Sequence, residues 1–402
     1  MSKQALRNRL ITQSLSGSFR LFLVTGVLLT LAGGALFVYA LVSGNADRAW
    51  HLFQANWLFF TGVTFGSIAL VAVHKIANAK WSGVIIRFSE ATIGFAVVSL
   101  LGLIVIFTAG YDHLYGPMQE QLHAFSRGKA LWLSHGFMFG RLFVALLILA
   151  LIGRALVWAD LVPDLSLVKG AATGARKAVY DRMTAGFDPS IAGRLAHDKE
   201  IHRLAPIFIV VYALAMTIVA FDGIMALQPH WFSNLLGGFY FMGSFLAGHT
   251  ALALFLLYGR NELGIPDLVS PKQRHDLGKL IFGFTIFWAY LMWAQFLVIW
   301  YGNMPEETGF VFARLWGPWM PIGRAVLIGM FIVPFWGLLF VAMKKSPFML
   351  GLFSAISLVS LWLERYLLVL PSVTKESGPV FGLAELGPTA MFLGLFLLCY
   401  WA

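Results

Sequence analysis

The sequence predicts an all-α integral membrane protein of about ten transmembrane helices, and three observations carry the prediction. Of 402 residues, 59% are hydrophobic and only 12% charged, against roughly 25% charged in a water-soluble domain. Apolar runs of about 20 residues, each long enough to cross a bilayer, recur along the whole chain. The Lys and Arg residues behind the formal charge of +10 sit in the short stretches between those runs. That is the pattern of a membrane topology, so no nucleic-acid partner is expected.

In order, the runs are 20–43, 52–74, 83–109, 130–157, 203–227, 231–258, 277–301, 319–343, 347–370 and 386–402. Ahead of the first, MSKQALRNRLITQSLSGSFR is basic and has no cleavable-signal pattern. It is expected to be a cytoplasmic tail lying on anionic lipid. Twenty-one of the 29 Lys and Arg fall on the side of this tail, seven fall opposite, and Arg141 lies inside the fourth run. The split puts both termini in the cytoplasm. Trp50, Trp81, Trp158, Trp231, Trp300, Trp319 and Trp401 fall near run ends, where an aromatic belt is expected. The segment from Asp160 to Arg203 mixes both signs. It suits either short amphipathic surface helices or a solvated connection, and it holds no phosphate-binding loop.

The stretch from Met216 to Gly248 organises the rest. An apolar run ends in Asp222, Pro229 cannot continue the helix, and His230 and Trp231 restart it at interface depth. Around this turn the chain divides into similar halves. The second run opens His51-Leu52-Phe53 and the sixth His230-Trp231-Phe232. The fourth carries Gly140-Arg141 and the eighth Gly323-Arg324. The fifth ends in Asp222 and the ninth in Glu364, each with a proline seven residues on, Pro229 and Pro371. Both halves enter from the same side, so they would be parallel repeats about an axis along the membrane normal. The implied domains are a tail and peripheral helix (1–48), a first four-helix bundle (49–229, with the cytoplasmic segment 160–203), a second (230–372) and a peripheral last helix (373–402).

Ionisable side chains at membrane depth are costly, and each is a candidate for function. By helical rise, His135 lies about 8 Å and Arg141 about 16 Å from the outer side, and Glu90 about 10 Å from the inner side. Asp222, Glu364 and Arg365 sit near outer ends, His249 lies about 13 Å from the inner end of its run, and Asp276 marks an inner mouth. Arg141 should face a bundle interior and find a carboxylate or carbonyls, whereas Glu90 and His249 show no local counter-charge. Together these eight suit a proton path or a quinone pocket. Buried ion pairs that lock helices together would use the same residues.

Cofactor binding by this chain is not expected. The single cysteine, Cys399, excludes an internal disulfide, an Fe–S cluster and a CxxCH haem attachment from this chain alone. His135 and His249 differ in depth by about 15–20 Å, too far to clasp one haem.

These residues resemble the NrfD/PsrC family of polytopic quinone-interacting membrane subunits. Within it the chain is most similar to the ActF-type subunits of bacterial alternative complex III, a quinol:cytochrome c or electron-carrier oxidoreductase. The resemblance is carried by Trp81 with Arg87-Phe88-Ser89-Glu90, by Arg141, by Asp222-Gly223-Ile224-Met225 with Gln228-Pro229-His230-Trp231-Phe232-Ser233, and by Glu364-Arg365-Tyr366 with Leu370-Pro371-Ser372. The family often has Trp after the aspartate and Glu before the proline, where this chain has Gly223 and Gln228. The resemblance implies two four-helix bundles in a bacterial inner membrane and a homologous quinone-binding sister subunit. It also implies haem c and Fe–S subunits on the outer face, with a terminal oxidase or cytochrome c as acceptor. This subunit would then supply a proton path or quinone contacts. The competing readings are a secondary transporter built of parallel repeats and a purely structural anchor for redox subunits.

Overall fold

Within a bilayer each segment must satisfy its own backbone polar groups, so the apolar runs fold as helices. In the computed structural model, which describes residues 19–374 and 378–402, these are α1 (Arg20–Val42), α2 (Ala46–Ile76), α3 (Lys80–Ala124), α4 (His135–Ala171), α5 (Ile191–Leu227), α6 (Leu235–Glu262), α7 (Pro271–Gly302), α8 (Gly317–Leu339), α9 (Pro347–Val373) and α10 (Leu383–Trp401). No strand occurs among the described residues. Helices α1 to α9 are long and apolar enough to cross a membrane, whereas the apolar part of α10, Glu385–Trp401, is shorter. The whole of α10, Leu383–Trp401, has 19 residues and reaches about 28 Å at 1.5 Å per residue, close to a hydrocarbon core of about 30 Å. The expected N-terminal tail lies outside the described residues.

The larger differences lie at helix ends. The helix of α4 continues unbroken to Val168, and that of α5 already begins at Ile191. Half of the segment expected as surface helices or connection is thus the extension of two long helices, with one separate helix, Gly174–Met183, between them. Asp160 and Asp164 lie one turn apart on α4, both ion-paired, so the charge that marked them as loop residues is satisfied within the helix. At the other end, His230 and Trp231 stay in the turn, and α6 starts only at Leu235.

Helix interruptions have local causes. A tight 3₁₀ stretch, Ala91–Phe95, follows Glu90 in α3, and a widened π turn, Ile106–Gly110, precedes Tyr111. A second π turn, Ile328–Ile332, lies just before Pro334 in α8, where the proline ring supplies no N–H to the ladder.

Packing makes α2 and α6 the central pair. Of their apolar windows, 94% and 72% are buried within the protein, against 22–44% for the other seven long helices. Helix α2 packs on α3, α3 on α4, α4 on α5, and α5 back on α2. Likewise α6 packs on α7, α7 on α8, α8 on α9, and α9 back on α6. Between these rings α2 crosses α6, α5 lies on α6, and α9 lies on α2. The crossing is parallel and close: the Tyr240 hydroxyl donates to the Leu58 carbonyl (2.8 Å), Gly62 faces Ser244, and Gly66 faces both Ser244 and Gly248. Burial also corrects the aromatic belt. Trp50, Trp231 and Trp319 are 2–5% exposed inside the protein, because each ring packs on a neighbour: Phe37, Phe310 and Tyr366 respectively.

Helices α1 and α10 form an antiparallel pair outside the rings. Gly26 and Gly33 face Gly394 and Gly387, so the two backbones approach without intervening side chains. A Cβ on Gly33 would sit 2.3 Å from the Met391 nitrogen, whereas one on Gly34 would meet nothing within 4 Å. Gly33→Leu is therefore expected to destabilise by about 1–3 kcal/mol, the usual cost of overpacking. Gly34→Leu should be near neutral. Thermal unfolding of the detergent-solubilised protein separates the two.

Candidate functional site

Three clusters of buried charge emerge, and none is complete in the sequence. The first joins α3, α4 and α5. Asp222 is fully buried in the last turn of its helix, where the helix dipole already places partial negative charge. Arg141 compensates with a two-pronged bond, Nε to Oδ2 at 2.9 Å and Nη2 to Oδ1 at 2.6 Å. The guanidinium also donates to the Trp132 carbonyl (3.2 Å) and lies 3.6 Å over the Trp132 ring. The helix of α4 begins at His135, so Arg141 is about 9 Å from its start by helical rise. His135 Nε2 bonds the Phe107 carbonyl (2.9 Å), and its ring lies 4.1 Å from that of Tyr111. The Tyr115 hydroxyl donates to the Asp222 carbonyl (3.0 Å), and Gln54 Nε2 donates to Tyr115 (3.2 Å) and the Gly223 carbonyl (3.0 Å). The turn itself is tied to the α3–α4 connection: Lys129 donates to the Pro229 carbonyl, and His230 bonds Gln121 (3.0 Å).

The second cluster joins α2, α3 and α4 at the opposite end of the same ring. Arg87 bonds Glu90 (2.6 Å), Asp160 (2.9 Å) and Asp164 (2.7 Å), and Lys75 bonds Asp160 (2.6 Å). The expectation that Glu90 lacks a local counter-charge is corrected: Arg87 stands one turn before it, a spacing at which helical side chains meet. Three carboxylates here face two cations. Glu90 is 2% exposed, and its Oε1 has no partner.

The third cluster lies in the ring of α6 to α9. Arg365 donates to Glu364 (2.7 Å) and to the Tyr240 carbonyl (3.2 Å), and Trp288 Nε1 donates to the other Glu364 oxygen (2.9 Å). Arg324, which the sequence pairs with Arg141, is exposed instead. Beside the cluster is a cavity of about 120 Å³. Arg314, counted from sequence among outer-loop residues, lines it from the short helix Pro305–Leu315 and is 5% exposed. Burial pushes its guanidinium well below the ordinary arginine range.

His249 and Asp276 join none of these. His249 is buried among Phe245 and Phe284 with Nδ1 on the Phe245 carbonyl (2.9 Å). Asp276 makes a surface pair with Lys279 (2.7 Å). Among the described residues no group of three or more His, Cys, Asp or Glu is placed to hold a metal ion.

Fold and clusters together define an all-α, multi-pass membrane protein with paired charges buried at both ends of one helical ring. No family model matches the chain, and no curated protein does.

Proposed function

We propose that the chain is a cofactor-free membrane subunit of a quinol:electron-acceptor oxidoreductase, and that the ring of α2 to α5 carries its proton path. The observation behind the path is a set of buried polar atoms without protein partners: Gln54 Oε1 at one end, Ser67 Oγ along α2, and Ser89 Oγ and Glu90 Oε1 at the other. Such atoms are where proteins hold internal water. Between the ends, Thr61 donates to Ser99 (3.1 Å) and Thr92 to the Thr64 carbonyl (3.4 Å), continuing the polar seam. The surplus carboxylate around Arg87 gives Glu90 a place to take up a proton, since clustered acids share one readily. Asp222 and Arg141 form the opposite end.

The redox setting rests on the resemblance. It implies a bacterial inner membrane, a homologous quinone-binding sister, and haem c and Fe–S subunits on the outer face, while the Lys and Arg split supports cytoplasmic termini. A terminal oxidase or cytochrome c accepts the electrons. The packing of α5 on α6 and of α9 on α2 supports reading α2–α5 and α6–α9 as parallel repeats.

Glu90→Gln tests the path, because it keeps size and hydrogen bonding and removes the ionisable group. In the intact complex, the rate of turnover-linked proton transfer should fall about 10²-fold, the lower end of what a positioned acid–base group contributes. An assembled complex with unchanged turnover and proton yield would leave only the anchor reading.

A further inference from the structure

Arg314 is a buried cation with no acid beside it. Its guanidinium donates to the carbonyls of Phe310 (2.9 Å) and Leu368 (2.7 Å) and to the Ser372 hydroxyl (2.5 Å), and lies 3.3 Å over the Phe310 ring. Its Nε has no partner, and among the described residues no carboxylate forms an ion pair with it. Glu364, which lines the same cavity, is already bonded on both oxygens by Trp288 and Arg365, so it does not serve as counter-ion. Apart from Gln295, the remaining walls are mostly apolar, with Phe239, Met292, Phe310 and Leu367 among them. A desolvated cation at the edge of an apolar cavity is stabilised most by an anion that brings its own apolar body.

We propose that this cavity between α6, α7, α8 and α9 binds the acidic head of an anionic amphiphile, with Arg314 as its counter-ion. The head is a carboxylate or a phosphate, drawn from a free fatty acid or a membrane lipid. Either group accepts the charge-assisted bonds that a guanidinium offers. The site is separate from the α2–α5 ring, so it goes beyond the proton path and does not depend on it.

The test is equilibrium binding to the full chain in nanodiscs of zwitterionic phosphatidylcholine. The probes are radiolabelled oleate, the uncharged oleyl alcohol, and dioleoyl phosphatidic acid. The proposal expects a saturable site for oleate or phosphatidic acid that oleyl alcohol does not fill. Saturation by oleate identifies the fatty acid as source, and saturation by phosphatidic acid alone identifies the lipid. Arg314→Gln should weaken binding about tenfold to a hundredfold, the range for one hydrogen-bonded charge. Leu367→Phe, which fills the cavity, should weaken it comparably. Arg324→Gln, at an exposed arginine on α8, should leave it unchanged. If Arg314→Gln does not fold, Leu367→Phe decides the matter alone. Absence of a saturable acid-dependent site, equal binding of the alcohol, or wild-type affinity in Arg314→Gln and Leu367→Phe would each overturn the proposal.

Discussion

Arg141→Leu alone, and Asp222→Leu alone, are each expected to cost about 3–5 kcal/mol of stability, while the double substitution should cost much less than either. Asp222 has no exposed surface and stands at a helix C-terminus. Without Arg141 its carboxylate would keep only unfavourable company: the partial negative charge of its own helix end and apolar walls. Without Asp222, the guanidinium would retain the Trp132 carbonyl and ring but lose both short bonds. Removing both leaves Leu beside Leu with no charge to desolvate, while Tyr115 and Gln54 keep their bonds to the backbone carbonyls of residues 222 and 223. Denaturant or thermal unfolding in detergent gives the cycle, with Arg324→Leu as the exposed control near zero. A double variant as unstable as the worse single one would mean that the two side chains act through other neighbours. If the double variant assembles into its complex, its proton yield then distinguishes a lock from a relay. A lock restores function along with stability, and a relay does not.

The spans were legible because lipid imposes a simple rule on composition, and that rule found every helix from α1 to α10. Helix ends were less legible where the chain leaves the lipid. Nothing in the hydropathy of Asp160 distinguishes a loop aspartate from one that α4 carries onward to meet Arg87 and Lys75. Arg87 is legible in the sequence, because its spacing of three from Glu90 is a local helical signal. Arg141 and Asp222 lie 81 residues apart in sequence. Their meeting was anticipated only in kind, as an arginine in need of a carboxylate, because pairing across helices depends on rotation about each axis. The matched Gly-Arg dipeptides illustrate the limit. Gly140-Arg141 and Gly323-Arg324 look alike on paper, yet one arginine turns inward to an acid and the other faces out. Arg314 was hidden by the opposite error, since a charge between apolar runs reads as a loop residue even when a short helix folds it inward.

Gly66→Leu is expected to be among the most damaging single changes in the protein, at or above the roughly 3 kcal/mol upper end of ordinary overpacking. A Cβ at Gly66 would lie 1.9 Å from the Ser244 carbonyl oxygen, and one at Gly248 would lie 2.6 Å from the Gly66 carbonyl carbon. Both obstacles are backbone, so no side chain can rotate away and α2 must separate from α6. Close approach through small residues is how helices associate in lipid, where no hydrophobic driving force holds them together. Gly283→Leu on α7, where a Cβ meets nothing within 4 Å, is the matched control and should be near neutral. The damage should also spread. Separating the helices pulls the Tyr240 hydroxyl from the Leu58 carbonyl, and the Tyr240 carbonyl is one of the acceptors that holds Arg365 beside Glu364. The crossing of α2 and α6 thereby braces a charge pair on α9. Unfolding of Gly66→Leu should therefore show less cooperativity as well as a lower midpoint. A Gly66→Leu protein that melts like Gly283→Leu would show that the two rings are not joined through this crossing.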